Sequence, residues 1–196
     1  MPKRPKKGNH SRAHNRRVKE GFYEKYIVGD GIDIGCTNRD RSITPEVQFW
    51  DLNTRPGGAA THMRGVEDNK YDYVLASHIL EHLFDVRTAL RNWFRILKPG
   101  GYLIICVPER DIFERKKTLP SKMNIDHKWY FKIEESEPPV TLSLKKLLQE
   151  ELPPGCIKIE YIKVCAGWNP EAPSTYPPEG EFQIEAVIKK IHSEAR

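Results

Sequence analysis

Gly31-Ile32-Asp33-Ile34-Gly35-Cys36 reads as a short buried strand that runs directly into a glycine turn. A strand of this kind opens toward a helix and presents main-chain N–H groups and a strand-end carboxylate at the carboxyl edge of a sheet, where α/β folds bind ligands. Asp33, Gly35 and Cys36 stand at that edge. A second strand, Val47 to Leu52, ends in Asp51, about eighteen residues beyond Asp33. That is the offset at which such folds hold a ribose diol. Each charge-assisted hydrogen bond of that type contributes about 1.5–3 kcal/mol.

The chain on either side continues the pattern. Residues 17–27 carry Val18, Phe22, Tyr23, Tyr26 and Ile27 at mixed helical spacing and read as a short helix ended by Gly29 and Gly31. Only a short connection containing Pro45 separates the first two strands, so the crossover helix there must be cut down. Tyr71 to Ala76 is a third strand, followed by a helix with Asp85 as N-cap and Lys98-Pro99-Gly100-Gly101 as its stop. Tyr102 to Val107 is wholly apolar. Residues 108–130 then mix basic, aromatic and small polar residues, as functional loops do. Thr141 or Ser143 caps a helix through Leu152, which Pro153-Pro154-Gly155 stops. Ile157 to Cys165 and Glu181 to Ile191 are the last strands, joined by a Pro-rich loop. Alternating strands and helices imply a mainly parallel sheet covered by helices.

A chain of 196 residues suits one domain. With 38% hydrophobic and 30% charged residues it has the balance of a globular protein. The net charge of +5 is unevenly spread: residues 1–19 hold eight of the 32 Lys and Arg and no acid, leaving the body with 24 basic against 27 acidic residues. Blocks of like charge stay unfolded as a rule, so residues 1–19 are expected to be a disordered basic tail and residues 20–196 the folded domain. The same tail offers phosphate contacts to a nucleic acid. No apolar run approaches the roughly 18 residues of a membrane span, and no apolar stretch follows the tail as in an export signal, which points to the cytoplasm. The four cysteines, Cys36, Cys106, Cys156 and Cys165, lack Cys-x-x-Cys spacing and indicate neither a zinc knuckle nor a disulfide framework.

Three blocks in order, G-I-D-I-G-C at 31–36, Y-D-Y-V-L-A-S-H-I-L-E-H-L at 71–83 and R-I-L-K-P-G-G-Y-L-I-I-C-V-P at 95–108, resemble the class I S-adenosylmethionine-dependent methyltransferases. L-P-S-K-M-N-I-D-H-K-W-Y-F at 119–131 is similar to a bacterial subgroup of the type 11 members, and the resemblance covers roughly residues 17–150. It implies a Rossmann-like, doubly wound, mainly parallel seven-stranded sheet with a C-terminal antiparallel strand, and S-adenosyl-L-methionine as cofactor. By the resemblance, Asp33, Gly35 and Cys36 line the methionine part, Asp51 and Leu52 the ribose and adenine, and Ser77 and His78 the far side. The sequence departs from the family at Thr37, where a second glycine is usual, and at Gly58-Ala59-Ala60, where the family often has an Asp that reads the adenine amino group.

Methyl transfer is an in-line displacement, so the protein must align the acceptor and, for a hydroxyl, remove its proton. No metal is required. The 108–130 loop offers Glu109, Asn124, Asp126 and Lys128 for the acceptor and His127 as the first choice of general base, with His78 competing. His78-Ile79-Leu80-Glu81-His82 also matches H-x-x-E-H, an inverted zinc-protease motif, but it follows a buried strand directly where that motif belongs on a long helix; Glu81 and His82 are expected to cap and brace the turn. The leading reading is O-methylation of a small-molecule or glycan acceptor. The alternatives are a nucleic-acid methyltransferase using the basic tail and a non-catalytic cofactor-binding subunit of a larger assembly. Against nucleic acid, no N-P-P-Y-type tetrapeptide follows the Tyr71 strand to hold a flipped base.

Overall fold

The computed structural model describes residues 3–4, 6, 9–52, 59–167 and 180–192. The elements are α1 (Asn9–Lys19), α2 (Phe22–Tyr26), β1 (Gly31–Ile34), β2 (Gln48–Trp50), β3 (Tyr71–Ser77), α3 (Val86–Arg95), β4 (Leu97–Pro108), β5 (Tyr130–Lys132), β6 (Thr141–Ser143), α4 (Leu144–Glu151), β7 (Ile157–Ala166) and β8 (Phe182–Lys190). A 3₁₀ turn, Leu80–His82, follows β3, and a single π turn, Arg110–Glu114, follows β4.

The main sheet has the order β2-β1-β3-β4-β8-β7. Its first four strands are parallel, while β8 runs antiparallel to both β4 and β7. Strands β5 and β6 pair parallel in a small second sheet. Among the described residues the main sheet has six strands, one fewer than expected. The reason is visible after β2. Residues 59–66 close their main-chain bonds locally, His62 N to Ala59 O and Val66 N to Met63 O, both at 3.2 Å. Arg95 Nη1 also takes the Val66 carbonyl at 2.8 Å, leaving nothing there for a ladder. Residues 53–58, including Gly58, and the Pro-rich loop over 168–179 lie outside the described residues.

Strand alternation assigns each side chain to a layer. Ile32, Ile34, Val74, Ala76, Leu103, Ile105, Ile184, Ala186 and Ile188 point to one face and pack with Leu90, Trp93 and Phe94 of α3 and Leu147 and Leu148 of α4. Tyr73, Leu75, Ile104 and Val187 point to the other, against Phe22, Tyr23 and Tyr26 of α2. Asp33, Ser77, Cys106 and Glu185 share the parity of this second set. Helix starts follow the expected caps: Asp85 accepts from Thr88 N at 2.9 Å, and Ser143 from Lys146 N at 3.1 Å. α3 ends at Arg95 and β4 already begins at Leu97, so Lys98-Pro99-Gly100-Gly101 belongs to the strand entry. Gly31 is demanded by packing, since a Cβ there would fall 1.9 Å from the ring of Tyr73, its partner in the ladder.

The basic segment departs furthest from expectation. Residues 9–19 form α1, whose inner stripe is His10, Ala13, His14 and Arg17, all buried. Arg17 is fully buried and forks onto Glu185 of β8, with Nε at 2.9 Å and Nη2 at 2.6 Å from Oε2. Arg16 joins from the same helix, with 2.8 Å to Glu181 and 3.0 Å to Glu185. This like-charge segment folds because Glu185, buried on the sheet, and Glu181 just before β8 neutralise Arg16 and Arg17. Burial alone would raise the Glu185 carboxyl, but the guanidiniums of Arg17 and Arg16 outweigh it and hold it at about 2.

A carboxyl lowered from the unfolded value of about 4.3 stabilises the fold above that pH and loses its contribution as pH falls from about 4 toward 2. Urea unfolding should therefore show stability dropping over that range, and Glu185→Gln should flatten the drop. Glu185→Ala, which leaves Arg17 buried without its partner, should cost about 3–5 kcal/mol at neutral pH. A loss below about 1 kcal/mol would contradict the role given to the pair.

Candidate active site

Parallel registry places the site. Ile34 pairs with Trp50 on one side and Ala76 on the other, so Gly35, Asp51 and Ser77 leave their strands at one edge. Gly35 N donates to Trp50 O at 2.7 Å and turns the chain at φ +85°; a Cβ there would sit 3.0 Å from that of Ile79. Only glycine takes that turn without strain. A cavity of about 180 Å³ opens at this edge and brings together Asp33, Gly35, Cys36, Ser77 and His78, with His10 and Arg41 completing its wall. Two larger clefts, about 430 and 520 Å³, lie at the amino edge of the sheet around Tyr71 and around Pro99, away from the strand ends that bind ligands in this architecture.

Asp33 is buried on the cavity floor and accepts from Ile43 N at 3.3 Å, with His10 Nε2 3.7 Å away. Burial pushes its carboxyl up to about 7. Burial also pushes the Cys36 thiol up to about 12, which keeps it a neutral thiol facing Asn38 O at 3.2 Å and removes it as a nucleophile. Asp51 is half-buried one residue beyond β2, and Leu52 beside it is 67% exposed.

His78 follows β3 in the left-handed region at φ +55°, a conformation costly for a side-chain-bearing residue and concentrated at functional sites. Its main-chain N–H donates to Cys106 O at 2.8 Å. Its Nε2 meets Gln183 Oε1 at 2.9 Å, and the Gln183 amide donates to Glu181 at 3.4 Å, which fixes the amide so that His78 Nε2 carries the proton. Nδ1 faces Glu81 Oε1 at 3.4 Å.

His127 lies elsewhere. It is buried off the cavity, its Nδ1 held by the Glu114 carboxylate, which also receives the Ser121 hydroxyl. Its ring meets His82 edge-on at 4.8 Å between centroids. Burial lowers the His82 pKa, leaving a neutral imidazole at neutral pH. Asp126 is exposed on the loop, so the carboxylate that orients His127 is Glu114 and not its sequence neighbour. The other loop residues have structural duties. Glu109 caps the π turn by accepting from Ile112 N at 2.8 Å, Asn124 accepts from Asp126 N at 3.1 Å, and Lys128 lies 5.3 Å over the Phe84 ring. Glu81 braces the turn through its main chain, its carbonyl accepting from Lys128 N at 2.7 Å and Trp129 N at 3.3 Å; the helix cap itself is Asp85.

His10, Arg17, Arg41, Glu114 and Gln183 reach the site region without having been singled out in the sequence. The first two carried a signal, since His10, Ala13, His14 and Arg17 follow the i, i+3, i+4, i+7 rhythm of a buried helix face. Glu114 and Gln183 carried none.

Comparison with known proteins bears on this geometry directly. Residues 16–150 match the family model described as a methyltransferase domain. A SAM-dependent methyltransferase from Archaeoglobus fulgidus superposes with TM-score 0.55 at 17% identity, covering 93% of this chain and 95% of that one. A SAM-dependent methyltransferase from Thermotoga maritima gives 0.54 at 17% identity, covering 92% and 100%. At these identities the likeness is one of fold. Among curated proteins, the ubiquinone/menaquinone biosynthesis C-methyltransferase UbiE of Cronobacter sakazakii is 40% identical over 47 residues, 24% of this chain and 19% of that protein. The curated relatives match over segments only, from 1% to 27% of their own length. No helix among the described residues is long and apolar enough to cross a membrane. Since the matched domain spans well over half of its length, this chain belongs to the methyltransferase domain family.

Proposed function

We propose that the chain methylates a hydroxyl of a small-molecule or glycan acceptor at the carboxyl edge of β1 and β3, with His78 as general base. The observation that carries this reading is His78 on the wall of the cavity that Asp33, Gly35 and Ser77 share, its Nε2 held by Gln183 so that the lone pair is left on Nδ1. A hydroxyl acceptor needs a base within reach, and a positioned imidazole can take its proton. His127 was the stronger candidate in the sequence, but Glu114 and His82 hold its ring away from the cavity-lining set.

The chemistry of the edge suits the cofactor. The buried Asp33 carboxylate and the main chain of Gly35 would hold its amino-acid end, Asp51 its ribose diol, and Leu52, Ser77 and His78 would flank it, the serine and histidine on the far side. When bound, S-adenosyl-L-methionine supplies an electrophilic methyl on a sulfonium that is already a good leaving group. The residues of this chain then have two tasks: to align the acceptor oxygen and to take its proton. Glu109, Asn124, Asp126 and Lys128 are proposed to shape the acceptor side through the loop they stabilise. Phe84 and Ile125, 82% and 76% exposed next to that loop, offer apolar contact to the acceptor. The nucleic-acid reading has lost two of its central charges, since Arg16 and Arg17 are engaged with Glu181 and Glu185.

The reading is tested by following S-adenosylhomocysteine release with a panel of hydroxylated small molecules and oligosaccharides, alongside tRNA and DNA. Turnover on the former supports it; turnover on nucleic acid alone would replace it. With an active acceptor, kcat should fall about 100-fold or more in His78→Asn and far less in His127→Gln.

Asp33 sets a second pH dependence. Its carboxyl, raised to about 7, must ionise to receive the cofactor's ammonium. His10, Arg17 and Cys36 face it, and none of them changes charge between pH 7 and 8: the histidine is held well below its usual value by burial and the thiol near 12. Calorimetric affinity for S-adenosylhomocysteine should thus rise from pH 6 to 8 and level off, and Asp33→Asn should bind about 10- to 100-fold more weakly with a flat profile. A flat wild-type profile would remove Asp33 from the contact. Without cofactor the sign reverses, because a carboxyl raised from about 3.9 costs the fold stability as pH climbs from about 4 through 7.

A further inference from the structure

Glu81 is 1% exposed, yet among the described residues no hydrogen bond reaches either oxygen of its carboxylate. The nearest partner, His78 Nδ1 at 3.4 Å, lacks hydrogen-bond geometry. An ionised carboxylate left so deep without donors is costly, and proteins answer that cost by pairing the charge or by coordinating a metal. Two imidazoles share the space: Glu81, His82 and His127 each bring a ligand atom within 4.8 Å of the others.

From this juxtaposition we propose that Glu81, His82 and His127 bind a divalent transition-metal ion of the zinc class. Two histidines and one glutamate form a ligand set that zinc takes at sites which keep a fourth position open. Ligand atoms about 2.0–2.2 Å from zinc stand about 3.3–3.6 Å apart in a tetrahedron, so the trio closes on the ion with side-chain shifts of about 1 Å.

The surroundings prepare both imidazoles. The Glu114 carboxylate can only accept, so Nδ1 of His127 carries its proton and Nε2 is left with a lone pair. A carboxylate behind a histidine in this way is the usual outer support of a metal ligand, fixing tautomer and ring orientation. The His82 ring meets that of His127 edge-on, 4.8 Å between centroids. The ligands come from two elements, the 3₁₀ turn after β3 and the 124–129 loop, and the bonds from Lys128 N and Trp129 N to Glu81 O already hold these together.

The site is distinct from the H-x-x-E-H pairing of a zinc protease. His78 precedes the 3₁₀ turn that His82 ends, so the two are not one turn apart on an α-helix, and the second histidine comes from His127, 45 residues further on. An ion held by three protein ligands keeps a place for water or an acceptor oxygen and acidifies what binds there. That use rests on the acceptor reading above, whereas binding of the ion does not.

The test is a titration of the chelator-stripped full-length protein with Co²⁺, whose visible absorption reports nitrogen ligation, followed by competition with Zn²⁺. The expected result is one Co²⁺ per chain, displaced by one equivalent of Zn²⁺. Affinity should fall at least 10-fold in Glu81→Gln and in His82→Ala, and about 10- to 100-fold in Glu114→Gln, which keeps all three ligands. His62→Ala, an exposed histidine outside the trio, should bind as the wild type does. Sub-stoichiometric binding by the wild type, or equal binding by the variants, overturns the site, and the wild-type titration decides this even if a variant fails to fold. S-adenosylhomocysteine binding is measured on the same stripped protein. Its retention without metal binding sinks the metal site alone, and its loss alone sinks the cofactor reading.

Discussion

Parallel pairing is the constraint from which the rest follows. Strands β2, β1, β3 and β4 all run one way, so all four release their chains at one edge, and whatever follows each strand is delivered there whatever its distance in sequence. Asp33 and Gly35 arrive from β1, Asp51 from β2, Ser77 and His78 from β3, and the acceptor loop from β4. Antiparallel β8 enters at that same edge, which is how Phe182, Gln183 and Glu185 come to stand beside His78 and Cys106. The apolar runs inside the strands supply the stability of the sheet; the polar residues just past their ends gather at the candidate site.

The second organising feature is the polar inner face of α1. An arginine with no solvent exposure is expensive to bury, and its pairing with Glu185 makes the cost tolerable without making the pair a large net source of stability. What the pair secures is placement. α1 can dock only where Glu181 and Glu185 lie, and that docking carries His10 to within 3.7 Å of Asp33. The segment that carries the charge run therefore contributes His10 to the wall of the site.

The division between what was legible and what was not has a physical basis. β1, β3 and most of β4 announced themselves as apolar runs bounded by glycine or polar turns, and Asp85 and Ser143 announced the helices they cap. The carboxyl-edge residues followed from strand ends alone. α1 was missed because its buried stripe is histidine and arginine, which an apolar-periodicity argument counts as solvent-facing. The seventh strand is an implication of resemblance and not of residues, and the local bonds over 59–66 show why none forms there among the described residues. The cluster of Glu81, His82, Glu114 and His127 was out of reach, because short-range pattern carries no information about which loop a turn will meet. Asp126 looked like the natural partner of His127 by adjacency, whereas the fold supplies Glu114, thirteen residues upstream.

The acceptor loop hangs on its neighbour mainly by main-chain atoms. Glu81 O takes both Lys128 N and Trp129 N, and Leu83 O takes the Trp129 indole at 2.9 Å. A peptide N–H is the same in every residue except proline, so position 128 can change identity without loosening the anchor. Ile125 on the loop and Phe84 under Lys128 are both largely exposed, so these side chains can change as well. The scaffold thus separates the residues that an acceptor would meet from those that keep the loop in place, and a lineage with this framework can drift from one acceptor to another through surface substitutions that leave its stability almost untouched.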